Sequence, residues 1–177
     1  MAKPVLVVAR WDEPGRWAYE VPGWEPLVVS KGMQLPNVGR EASSFLWAMR
    51  QLYGDPPEAV AFVQGNPFPH CENLYDELVY PTSGFRWLGD GSYASQADGR
   101  PHHPGLPVAE RYERWFGRAW PGVVWFAPGG QFTIPGCYLL RHPRGFYAHL
   151  QAEMGEGENP WVMERLWREL FREVSAA

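Results

Sequence analysis

Four short stretches of this chain gather side chains able to do chemistry. The first is Arg10-Trp11-Asp12-Glu13, which follows the apolar run "PVLVVA". The second is the "VQGNPFPH" corner, with Gln64, Asn66 and His70. The third is "GGQF", with Gln131, and the fourth is "PNVGRE", with Asn37 and Arg40. Arginine recognises phosphate or carboxylate through its planar fork. Carboxylates move protons or bind divalent metals, and tryptophan stacks on a base or a sugar face. Open α/β sheets bind ligands outside the carboxyl ends of their strands, so three strand ends and one helix start would together form one cleft. Each set also has a plain structural reading. Arg10 with Asp12 or Glu13 reads equally as a loop salt bridge. Arg40 beside Glu41 satisfies a helix end, Gln64 holds a turn through its backbone bonds, and His70 serves as a structural imidazole.

Elements that would position these sets follow from the apolar pattern. Residues 4–9, 26–30 and 59–64 are short continuous apolar runs, as in strands covered on both faces. Residues 40–53 place Ala42, Phe45, Leu46, Met49, Leu52 and Tyr53 on one helical stripe, with Asn37 as a cap and Gly54 as a stop. "ENLYDELVY" reads as a short helix and "PVAERYERWFGRAW" as another, opened by Pro107. Between them lies a long turn-rich loop of the kind that forms lids or binding loops. Residues 122–127 read as a further buried strand. In "PGGQFTIP" the glycine pair allows a close backbone approach or a bulge. Residues 143–154 and 160–174 read as helices. The second is capped by Asn159, begins at Pro160, and buries Met163, Leu166, Trp167, Leu170, Phe171 and Val174. The order predicts an α/β fold, a mixed sheet flanked by helices in a single domain over residues 1–177.

Composition narrows the function. Ten Trp, nine Phe and eight Tyr are a surplus of large rings, mostly core, though rings also suit a flat ligand. A net charge of −4 argues against a chain that coats nucleic acid, while leaving room for a local basic pocket. Two cysteines make neither a disulfide framework nor a four-cysteine zinc site. His70-Cys71-Glu72 and His102-His103 lack the spacing of a known zinc motif. There is no Walker motif, no G-x-S-x-G and no G-x-G-x-x-G. The first apolar run is too short for a signal peptide, and no window reaches a membrane span. A soluble, cytoplasmic protein is the expectation.

In order along the chain, the motifs resemble the family called domain of unknown function 3431. "ARWDEPGRW" is similar to that family's "ARYNED…W". "SKGMQLPNVGREASSFL" is similar to its "YNKG…LPNVGREAHTYL", and "FVQGNPFPH" to its "FLQGDPFDH". "GGQF" and the closing "NPWVMERLWRELF" match its later blocks. That family has no established activity, but its block order is similar to the GT-A nucleotide-sugar glycosyltransferases, a Rossmann-like fold. The resemblance implies a nucleotide-sugar donor as partner. Arg10, Trp11, Asp12 and Glu13 would flank the nucleotide, and the corner after Gln64 would meet the diphosphate. Asn37, Arg40, Asn66, His70 and Gln131 complete the implied donor-binding set. Glu164, or else Glu13, would be the base.

The same resemblance implies Mn²⁺ or Mg²⁺ at the corner. Here the chain departs from the pattern. Asn66 and Pro69 stand where the family has aspartates, and such ions favour carboxylate oxygens. Either the diphosphate is neutralised by Arg and helix N–H groups, or Asp12 or Asp90 substitutes, or catalysis is lost. A sugar- or nucleotide-binding protein without turnover, and an interaction protein with an aromatic interface, are the alternatives.

Overall fold

The computed structural model describes residues 3–79, 82–89 and 91–172. Its main sheet has five strands: β1 (Val5–Arg10), β2 (Glu25–Ser30), β3 (Ala59–Gln64), β4 (Arg86–Trp87) and, late in the chain, a strand over Phe132–Pro135. Before that last strand, Tyr93–Ser95 (β5) and Val124–Phe126 (β6) pair with each other as a separate antiparallel ribbon, so Phe132–Pro135 is β7. The helices are α1 (Arg40–Leu52), α2 (Leu74–Val79), α3 (Val108–Phe116), α4 (Arg144–Glu153) and α5 (Asn159–Leu170). The order across the main sheet is β2-β1-β3-β7-β4. β1 runs parallel to β2 and β3, and β7 runs antiparallel to β3 and β4. The result is a mixed α/β sheet flanked by helices.

The pleat explains why β1 and β3 are apolar up to their last residues, Arg10 and Gln64. Successive side chains point to opposite faces, and both faces are covered. Val7, Val60 and Phe62 pack toward α1, α4 and α5 with Phe45, Met49, Leu166 and Trp167. Leu6, Val8, Ala61 and Val63 pack on the other face with Leu74, Leu78 and Leu88. Phe132 of β7 centres the first core, with ring centroids 4.9 Å from Phe62, 5.1 Å from Phe85 and 5.3 Å from Trp167. Trp11 and Trp125 are exposed, while the other tryptophans belong to or pack against the two cores.

Several expectations change. The run at 122–127 supplies a strand, but outside the main sheet, and its middle residue Trp125 is exposed. The fourth strand of the main sheet is instead "FTIP", directly after the glycine pair. Asn37 does not cap α1: the cap position is Gly39, with φ 71°, and no side chain caps it. Alanine there would press its Cβ to 2.8 Å from that of Met154, so glycine is required by both backbone and space. Asn159 is the first residue of α5 rather than its cap. Its amide accepts from Arg111 at 2.9 Å and donates to the Glu153 carbonyl at 2.9 Å, tying three helices together. Val174 and Asp90 lie outside the described residues.

Candidate functional site

β1, β2 and β3 are parallel, so Arg10, Ser30 and Gln64 end on one edge of the sheet. A cavity of about 330 Å³ opens there, lined by Arg10, Trp11, Glu13, Lys31, Arg40 and Asn66 among others. This is the strand-end lobe. The Glu13 carboxylate accepts the Trp11 N–H at 2.7 Å, and Arg10 Nε donates to the Glu13 carbonyl at 2.6 Å. The loop is thereby folded against the β3 corner. Gly65 makes this possible: a Cβ there would stand 2.6 Å from Glu13 Oε2. The Trp17 indole N–H donates to the Gly65 carbonyl at 2.9 Å and holds the corner in place.

Lys31 follows β2, and its ammonium donates to the carbonyls of Val38, at 2.9 Å, and Arg40. Burial pulls its pKa down from 10.5 to about 8, against the attraction of Glu41. Burial pushes the Glu41 carboxyl above its ordinary range. Arg40 has φ 47°, a left-handed backbone that non-glycine residues rarely adopt, and strain of this kind clusters at functional sites. Its guanidinium lies 3.7 Å from the centre of the Trp161 ring.

Arg40 and Gln64 also line a second cavity of about 390 Å³, shared with His70, Tyr93, His103, Phe126 and Glu164. The Glu164 carboxylate accepts the Gly129 N–H at 2.8 Å and pairs with Arg165 at 2.5 Å. Arg165 donates onward to His103 Nδ1 at 2.8 Å. Arginine has no acceptor atom, so His103 carries its own proton on Nε2. The Arg165 guanidinium also covers the Phe126 ring at 4.3 Å.

The sequence candidates divide between these lobes. Arg10, Trp11, Glu13, Asn37 and Asn66 line the strand-end lobe, His70 and Glu164 the second, and Arg40 and Gln64 both. Asp12 is exposed and lines neither. Gln131 does not face a cavity either. It is fully buried, accepts the Gln64 N–H at 3.2 Å and donates to the Pro67 carbonyl at 3.2 Å, so it positions the corner. Lys31, Trp161 and Arg165 were missed as site residues. Lys31 stands in the quoted "SKG" block, and Arg165 directly follows Glu164, but neither neighbourhood announces a cavity.

The residues do not fit the implied divalent metal. Asn66 offers one neutral carbonyl, the two carboxylates of its lobe are engaged by the Trp11 N–H (Glu13) and by Arg40 (Glu41), and Arg10 and Lys31 line it too. Among the described residues no three of His, Cys, Asp and Glu gather as a metal set. Nor, among them, is any helix long and apolar enough to cross a membrane. In comparison with known proteins, no family model matches this chain, and no curated protein or solved structure does.

Proposed function

We propose that this protein is a GT-A-like glycosyltransferase that binds a nucleotide-sugar donor, with the diphosphate held by cations instead of a metal. One observation carries the reading: Arg10, Lys31 and Arg40 surround a cavity at the carboxyl ends of three parallel strands. Charge-assisted hydrogen bonds from such groups suit phosphate oxygens. Trp11, exposed at the rim, offers its ring to the base or the sugar. The second lobe, joined through Arg40 and Gln64, would receive the acceptor.

A panel of nucleotide sugars, read by thermal shift with and without Mn²⁺, tests this. One donor is expected to raise the melting temperature, and to do so equally without metal. At a hundredfold excess over Kd the gain is about 2.7 kcal/mol, or about 5–11 °C for a chain of this size. Stabilisation by no nucleotide in either condition would sink the reading.

A second reading, binding without turnover, is favoured by the engagement of all three cleft carboxylates, Glu41 being paired with Arg40 at 3.5 Å. Glu13 holds the Trp11 N–H, and Glu164 holds the Gly129 N–H and Arg165. Release of nucleoside diphosphate from the stabilising donor separates the two readings.

A further inference from the structure

If the proposed transfer reading holds, the acceptor hydroxyl must lose a proton, and Glu164 is poorly placed to take it. Its carboxylate is paired with an arginine whose side chain is 2% exposed. Protonating Glu164 would leave that buried cation without its partner, which is costly. Glu13 belongs to the cationic lobe and is pressed against Gly65. His70 differs from both. It is exposed, lines the second lobe, and among the described residues its ring has no hydrogen-bond or ion-pair partner.

The ring is nevertheless held. The backbone N–H of His70 donates to the Pro67 carbonyl at 3.1 Å, fixing it at the end of the "GNPFPH" corner. Its imidazole lies so close to Gly129 that a Cβ there would stand 2.7 Å from Cδ2. The same Gly129 donates its N–H to Glu164 at 2.8 Å. One glycine thus touches an uncommitted imidazole and also donates to the Glu164 carboxylate. Imidazole is the side chain best suited to exchange protons near neutral pH.

We infer that His70, which lines the lobe and is seated against the Gly129 turn, is the proton acceptor of the transfer. The acceptor oxygen bonds to the anomeric carbon, and the bond from that carbon to the β-phosphate oxygen breaks. The electron pair leaves on the nucleoside diphosphate, and the hydroxyl proton passes to an imidazole nitrogen of His70. Groups facing the lobe from the other elements are Arg40, Tyr93, His102, His103 and Arg165.

The test uses the full chain, the donor identified by thermal shift, and water or a sugar alcohol as acceptor, with released nucleoside diphosphate as readout. His70→Gln is expected to keep the donor-induced stabilisation while turnover falls about 100-fold or more. The parent's loss of activity toward acid pH should vanish in that variant. Glu164→Gln should lower turnover less and keep the acid limb. Turnover of His70→Gln within about threefold of the parent, or an acid limb removed by Glu164→Gln instead, overturns the role of His70. A parent that binds donor but releases no nucleoside diphosphate also overturns it and leaves the binding reading standing. A parent that binds no donor overturns both.

Discussion

In the strand-end lobe the Arg40 side chain is 45% exposed, and its carboxylate neighbour Glu41 lies 3.5 Å away. In the second lobe the Arg165 side chain is 2% exposed and lies 2.5 Å from Glu164. The two arginines border one cleft, yet they are held in opposite ways. Arg165 is anchored by Glu164, by the Trp161 carbonyl and by His103, and its face is covered by Phe126. Arg40 rests on Trp161 with its charge open to the cavity. A buried cation whose two terminal nitrogens are both bonded within the protein, with only Nε lacking a partner, supports architecture. One left half-solvated, on a strained backbone, is available to an anion that arrives from outside.

The sharpest way to break this comparison is to remove the anchor. Glu164→Ala strands a buried guanidinium, and a buried pair that loses one partner costs about 3–5 kcal/mol. The melting temperature should fall by about 6–20 °C by calorimetry. In the other lobe Glu13→Ala removes a half-buried carboxylate that accepts one backbone N–H, and should cost about 1–2 kcal/mol. Equal losses would mean that the lobes do not differ in this respect.

Arg40→Gly sharpens the comparison from the other side. Glycine accepts φ 47° without strain, and that relief offsets the lost contact with Trp161. Stability should stay within about 1 kcal/mol of the parent. Donor affinity, by titration calorimetry, should drop about 10- to 100-fold, the worth of a hydrogen bond to a charged group. A large loss of stability instead would place Arg40 with Arg165 as architecture.

The smallest effect is expected from pH. Lys31 titrates near pH 8 because burial disfavours its charged form. Donor affinity should therefore hold below pH 7 and fall about tenfold between pH 7 and 9 as the charge is lost. Lys31→Arg, which keeps its charge, should flatten that fall. Stability of the free protein moves the other way. The unfolded lysine still binds its proton between about pH 8 and 10.5 while the folded one does not, so this group's contribution rises with pH across that window.

Much of the first lobe was legible in the chain itself. β1, β2 and β3 are apolar runs because both faces of the sheet are covered, and α1 carries its stripe at helical spacing. Once those strands are recognised as parallel, the polar residues that follow them must emerge on one edge. Arg10, Glu13, Gln64 and Asn66 were found at strand ends, and Arg40 at the start of α1. The second lobe was legible only in part: His70 and Glu164 were among the candidates, and Arg40 and Gln64 line both lobes. Its other residues come from β5, the loop after it, β6, the turn at Gly129 and α5. β5 and β6 have three residues each and pair with each other outside the main sheet. β6 was recognised as a strand in the run at 122–127 but not its pairing, and β5 carries too little periodicity to be recognised.

What the sequence determined alone was local: where apolar side chains recur, strands and helices must form to bury them, and where polar residues follow, loops must begin. What tertiary structure decided was partnership. Gln131 looked like a ligand-facing side chain and became a buried brace, because β7 pairs antiparallel with β3 and sets it beside the corner. Glu164 stood as the base and is instead buried beside its neighbour Arg165 and bonded to the distant Gly129 N–H, because α5 packs its amino-terminal half against the Gly129 turn. Whether a polar group is spent on the fold or left for a ligand depends on what stands within about 3 Å of it, and residues far apart in sequence supply those neighbours.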